Sequence, residues 1–188
     1  MPNNPRLKRR IQIIWGVAAV LAIILAILLA VPQSHGHAFH FHAPYPVGVG
    51  PDPKLTPGDV NPDITEAVVT APDFRTGRYR NVSEEEKQED AAEYKVPWSE
   101  HSKYEFDHLI PLTVGGSNNL YNLWPEPLHI NVNGYDLGAK TKDELEDAIG
   151  KLVRSGRMPI QEGQQLFKDW PAAYQEYVGD FPAYRTLQ

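Results

Sequence analysis

Two adjacent residues near the middle of the chain, Asp107 and His108, are of the types that hydrolytic chemistry uses. A carboxylate suits a hard divalent cation. An imidazole that titrates near neutrality suits a general base. Together they support metal-assisted hydrolysis, in which the ion takes charge on a phosphate oxygen while histidine activates water. The pair lies in Tyr104-Glu-Phe-Asp-His108, and the chain then reads Leu109-Ile-Pro111-Leu-Thr-Val-Gly115-Gly116-Ser-Asn118-Asn119-Leu-Tyr-Asn122-Leu-Trp124-Pro125-Glu126-Pro127. Side chains alternate along a strand, so both groups reach one site only if the strand ends or kinks near His108. Pro111 and the glycine pair provide for that. A bare Asp-His pair is more often a surface or core-satisfied pair than a catalytic one, so the two residues alone do not carry the chemistry.

Cations that meet a phosphate are sparse. Arg75, Arg78 and Arg80 fall within six residues, with Thr76 and Tyr79 between them. Guanidinium forks in such a run hold phosphates, or they pair with the acidic helix that follows. Lys140 and Lys142 lie near the expected site, and Lys142 is also spaced i,i+4 from Glu146. There is no basic helix and no array for reading bases, so sequence-specific recognition is not expected. Residues 35–42 hold four of the seven histidines. That run reads as a polar stalk rather than a metal tract, because nothing beside it fixes ligand geometry.

The elements that must position these residues follow from capping and periodicity. Ser83 to Glu86 forms a capping box for a helix over 84–94. That helix carries six acidic residues against Lys87 and reads as a solvated face. Thr141 to Glu144 forms a second capping box, opening a helix whose Leu145, Ala148, Ile149, Leu152 and Val153 share a core face, with Gly156 at its end. A further helical stretch over 160–178, broken near Pro171, carries Leu166, Phe167, Trp170, Tyr174 and Tyr177 as core. Between the first two helices lies the strand-capable region 104–127. The expected fold class is α+β, a small domain with flanking helices.

Residues 11–31 are apolar apart from Gln12 and uncharged, long enough for a transmembrane helix. Arg6, Lys8, Arg9 and Arg10 precede them, which places residues 1–10 in the cytoplasm and the remainder outside. The competing reading is a secretory signal cleaved near Gly36-x-Ala38. Residues 32–62, rich in His and Pro, read as a tether, with the folded domain over 63–188. Four of the 18 Lys+Arg lie in the basic tail, so the rest, 14 against 24 acidic residues, carries a net −10. Bulk-charge capture of nucleic acid is thereby excluded. The chain has no cysteine, which excludes a disulfide scaffold, thiol catalysis and a Cys-ligated zinc site. A cysteine-free exported domain is ordinary in a bacterium.

The strings Asp107-His-Leu-Ile-Pro-Leu112, Gly115-Gly-Ser-Asn118 and Asn122-Leu-Trp-Pro-Glu-Pro127 resemble the HNH nuclease superfamily. Lys142-Asp-x-Leu-Glu146 resembles that family's Lys-Asp helix, and Gly156 with Asp169-Trp-x-x-x-Tyr174 its closing segment. Upstream, Phe74-Arg-Thr-Gly-Arg78-x-Arg80-x-Val82-Ser83 looks like the lead-in of an often exported subgroup. The likeness covers about residues 56–178. It implies a ββα-metal fold, a divalent ion (Mg²⁺ first, with Mn²⁺, Zn²⁺ or Ni²⁺ as alternatives) and hydrolysis of nucleic acid, DNA before RNA. By position, Asp107 resembles the metal ligand, His108 the general base, and Asn122 the asparagine that steadies the loop and the base. The third His or Asn of the family falls at Gly138 here; Asn131, then Asn133 or His129, are its substitutes, with Asn131 the expected second metal ligand. Subgroup members often have a cysteine near the position of Arg154, and this chain has none. The implied function is a membrane-tethered, outward-facing endonuclease, and the alternative is an inactive fold of the same kind used as a binding module.

Overall fold

A computed structural model describes residues 49–185. The basic tail, the apolar run 11–31 and the histidine tract lie outside the described residues. Among the described residues no helix is long and apolar enough to cross a membrane.

After a short helix α1 (Glu66–Val69), the acidic helix α2 runs Glu84–Glu93. Its start follows the capping box: Glu86 N–H donates to Ser83 Oγ at 3.2 Å, and Ser83 N–H donates to Glu86 Oε2 at 2.7 Å. Its end is closed by Lys95 at φ 58°, with Val96 N–H reaching back to Ala91 O at 2.8 Å. The helix is not wholly solvated, because Asp90 is buried.

Strand β1 (Tyr104–His108) pairs antiparallel with β2 (Leu123–Pro127), from Tyr104 opposite Pro127 to His108 opposite Leu123. A second, two-residue hairpin joins β3 (Asn131–Val132) to β4 (Tyr135–Asp136). Helix α3 (Ala139–Arg154) then crosses the first hairpin and packs on the C-terminal helices and on the 3₁₀ turn Leu112–Val114. Leu145, Ile149 and Val153 form its buried stripe. The helix begins at Ala139, two residues before the expected cap Thr141, with Gly138 in the cap position. Thr141 lies inside it and donates its hydroxyl to Asp136 O at 2.8 Å. A Cβ on residue 138 would stand 2.4 Å from Leu128 O, so the chain's close approach here admits only glycine. Gly156 ends the helix as expected: Gly156 N–H bonds Val153 O and Arg157 N–H bonds Leu152 O.

The stretch over 160–178 is two helices, α4 (Ile160–Leu166) and α5 (Trp170–Tyr177), joined by the 3₁₀ turn Phe167–Asp169. The break falls near Pro171 as expected, and Pro171 itself sits in the first turn of α5, where its missing N–H leaves no bond unmade. Phe167, Trp170 and Tyr174 are buried in the core with Val49, Ile64, Phe74, Ile110 and Val114.

The second half of the expected tether is part of the folded unit. Val49 is fully buried, and its carbonyl accepts from Trp170 Nε1 at 3.0 Å. Thr56 donates to Leu123 O at 2.7 Å, and Gly58 N–H donates to Tyr121 O at 2.9 Å. Proline forbids a regular helix or central strand, but not an irregular segment whose polar groups the core satisfies.

Candidate functional site

Strand alternation and the observed partners send Asp107 and His108 to different neighbours. Asp107 faces α3, where Lys142 Nζ donates to its Oδ2 at 2.5 Å. His108 faces the 75–80 arm and the loop after the glycine pair, and its Nε2 lies 3.1 Å from Asn118 Oδ1. The strand keeps its register through His108, so it does not kink to merge the two side chains into one site.

The loop that carries Asn118 is built around Asn122. The Asn122 amide donates to Ile110 O and Ser117 O at 3.0 and 2.8 Å, and its Oδ1 accepts from Ile110 N–H at 2.9 Å. Asn122 is fully buried. These bonds tie the loop to the end of β1, and no hydrogen bond joins Asn122 to the imidazole. Gly116 is required beside it, since a Cβ there would fall 1.7 Å from Ile110 O. Asp59 clasps the same loop from the N-terminal segment, accepting from Ser117 Oγ at 2.7 Å and Asn119 Nδ2 at 2.6 Å.

Orientation of the imidazole comes from Asn118. Its Nδ2 donates to Tyr79 O at 2.7 Å, so its Oδ1 must face His108, and Nε2 must carry the proton. Nδ1 then keeps the lone pair and has no hydrogen-bond partner among the described residues. Burial holds the imidazole below its ordinary pKa, against the opposing pull of Asp107 and the Asn118 bond, and the nearby Arg80 charge adds to the lowering. His108 is therefore neutral at pH 7 and available as a base. It is also only 1 % exposed.

The other half is a buried charge cluster. Lys142 is fully buried and bonds Asp107, Glu146 Oε1 at 2.7 Å and His108 O at 3.0 Å. Burial pushes its ammonium toward neutrality, but Asp107 and Glu146 outweigh burial and hold it charged. Burial pushes Asp107 up, and Lys142 more than offsets that, leaving the carboxyl below its usual range. Glu126 is fully buried, and neither of its oxygens meets an N–H or O–H donor. Burial lifts its pKa well above the usual value. The neighbouring Asp107 carboxylate adds to that rise, so Glu126 keeps its proton. Glu146 is raised to about 7, mainly by burial and partly offset by Lys142.

The metal set expected from the sequence does not assemble. Asn131 stands exposed on the β3–β4 hairpin and spends its Oδ1 on Gly134 N–H at 2.9 Å. His129 is paired with Asp136 at 2.6 Å, and Asn133 is the turn residue at φ 53°. The place next to Asp107 that a divalent ion would need is taken by the Lys142 ammonium. Among the described residues no group of three His, Cys, Asp or Glu is placed to hold an ion. The donor set thus does not fit the expected ion.

The expected phosphate ligands divide. Lys142 is corrected from a substrate contact to a buried counterion, with Glu146 as its i,i+4 partner. Lys140 is exposed but holds Glu105 at 2.9 Å and Asp143 at 3.0 Å. Arg75 donates to Phe74 O and Pro72 O, and Arg78 pairs with Asp73 at 3.1 Å, so neither bonds the acidic helix. Arg80 is exposed, lies near His108, and has no ion-pair partner among the described residues. Sequence reasoning missed Asn118 and Glu126. The Gly-Gly-Ser-Asn turn marked the loop but not the side chain that aims the histidine. No family model, curated protein or solved structure matches the chain.

Proposed function

We propose that this chain is a phosphodiester hydrolase acting on nucleic acid, an HNH-like endonuclease with His108 as general base. We further propose that residues 11–31 tether it to a membrane with the domain facing outward. The observation that supports the activity best is the neutral, Asn118-aimed His108 with a free Nδ1 beside the unpaired Arg80. Nδ1 takes a proton from water, the water oxygen bonds to phosphorus, and the 3′ oxygen leaves and is protonated by solvent. A 5′-phosphate results. Arg80 holds the non-bridging oxygens and takes charge that builds on them. Asn118 fixes the tautomer, Asn122 the loop, and the Asp107–Lys142 pair the end of β1. Because the donor set beside Asp107 does not fit a divalent ion, no step is assigned to one, and the metal is a variable of the test.

A second reading rests on the burial of His108, 1 % exposed, and on Lys142 standing at Asp107. Both suit an inactive fold of the same kind serving as an extracytoplasmic binding module. The test is cleavage of plasmid and of RNA by the purified full chain at low salt, with Mg²⁺, Mn²⁺ or EDTA, beside His108→Ala. Cleavage that vanishes in the folded variant supports the hydrolase. Absence of cleavage of either nucleic acid under every condition overturns it in favour of the binding module.

A further inference from the structure

On the face of β1 that carries His108, alternation also places Tyr104 and Phe106. Both line a cavity of about 390 Å³ with Trp98, His101, Arg80 and Lys87. That volume is in the range small ligands fill. One wall is a preformed aromatic shelf. The Trp98 ring stacks on His101 at 4.6 Å between centroids and 15° between planes, and it lies 5.7 Å from Phe106. His101 Nδ1 donates to Trp98 O at 2.7 Å and so locks the stack. Neither Arg80 nor Lys87 has an ion-pair partner among the described residues. Of the acids at the rim, Glu105 is already taken by Lys140 at 2.9 Å, which leaves Glu84 alone against two cations.

We propose that this cavity seats an unpaired base of single-stranded nucleic acid, one nucleotide away from the phosphate presented to His108. The inference rests on the hydrolase reading for the role of His108, and it adds a substrate class to it. Every base has a π-face that stacks on an indole or phenyl ring, and cations beside the rings hold the backbone. A recessed shelf admits a base that has left its stack, whereas a duplex presents only its edges and phosphates. At about 3.3 Å of rise per residue, Phe106 stands about 7 Å from His108, close to the reach of one extended nucleotide. The absence of a base-reading array fits a pocket that accepts any base.

The test measures binding and cleavage separately in the full chain. Binding of a short fluorescein-labelled oligothymidylate is followed by anisotropy in EDTA at low salt, against a duplex of equal length, for wild type, Trp98→Ala, Trp98→Tyr and Lys87→Ala. Cleavage of the same single strand and duplex is followed on gels. Expected are preference for the single strand and a loss of about 5- to 150-fold in affinity for Trp98→Ala. Trp98→Tyr keeps most of the affinity, and Lys87→Ala flattens the salt dependence. Circular dichroism and the Tyr variant separate lost stacking from lost folding. Equal affinity for duplex and single strand, or no loss in a folded Trp98→Ala, overturns the pocket even where cleavage is seen. Trp98-dependent binding without cleavage supports the pocket and removes the hydrolase. Neither binding nor cleavage removes both.

Discussion

Asp90→Asn is expected to stabilise the domain above neutral pH and to lose that advantage in acid. Asp90 is 1 % exposed, neither of its carboxyl oxygens has a hydrogen-bond donor, and its pKa is raised from 3.8 to about 7 by burial and then by Glu93. Between about pH 4 and about pH 7 the folded chain keeps this proton while the unfolded chain has released it. The folded state therefore binds more protons in that window, and its stability falls as pH rises through it, then levels off above about 7. A shift of about three pH units corresponds to about 4 kcal/mol, at 1.36 kcal/mol per unit. Asparagine carries no charge, but its amide is left short of partners at a cost of about 1–3 kcal/mol. The net expectation is a gain of about 1–3 kcal/mol near pH 8, little difference near pH 5, and a loss of about 1–3 kcal/mol near pH 3, below the unfolded pKa. Urea unfolding of the full chain and the variant, measured in parallel across this range, reads the difference. Glu126 and Glu146 titrate in both proteins and largely cancel in the subtraction. A variant that is weaker by the same amount at every pH would refute the idea that Asp90 is a costly buried charge.

Lys142→Met should destabilise by about 3–5 kcal/mol in urea unfolding, because Asp107 is left buried without its cation. Adding Asp107→Leu should recover much of that loss. Asn122→Ala removes the amide that ties Ile110 to Ser117 and should cost about 2–4 kcal/mol, measured by thermal unfolding. The pH profile of kcat/KM should have its acid limb below the usual imidazole value of about 6.5, since His108 must be neutral to accept a proton. A limb above that value would assign the limb to another group.

What was legible in the sequence was local. The Ser83–Glu86 box gave the start of α2 because both its bonds close within four residues. Gly156 closed α3 for the same reason. The resemblance singled out Asn122, and its bonds to Ile110 and Ser117 close within twelve residues, whereas the bond it accepts from Asp59 N–H spans 63. The failures are long-range. Local spacing offers Thr141 as the cap, because the approach of the chain at Leu128, which forces glycine at 138, is not visible in it. The pairing of Lys142 with Glu146 was legible at i,i+4, but its burial and its bond to Asp107, 35 residues away, were not. Asp90 looked solvated because α2 shows little helical patterning, and only its packing against β2 reveals a buried side. The adjacency of Asp107 and His108 suggested one site, and the register with β2 sends them to different partners.

The clasp made by the first described residues bears on how the chain folds. Val49 meets Trp170 across 121 positions, and Asp59 meets Ser117 across 58. Contacts of such separation are slow to form, because most of the chain must be gathered before they close. The His108 loop, held from outside by Asp59, cannot be finished by its own segment, so it sets late. A nascent chain will show no ordered site until its last helices have emerged, and removing α5 will disarm the loop from the far end of the molecule.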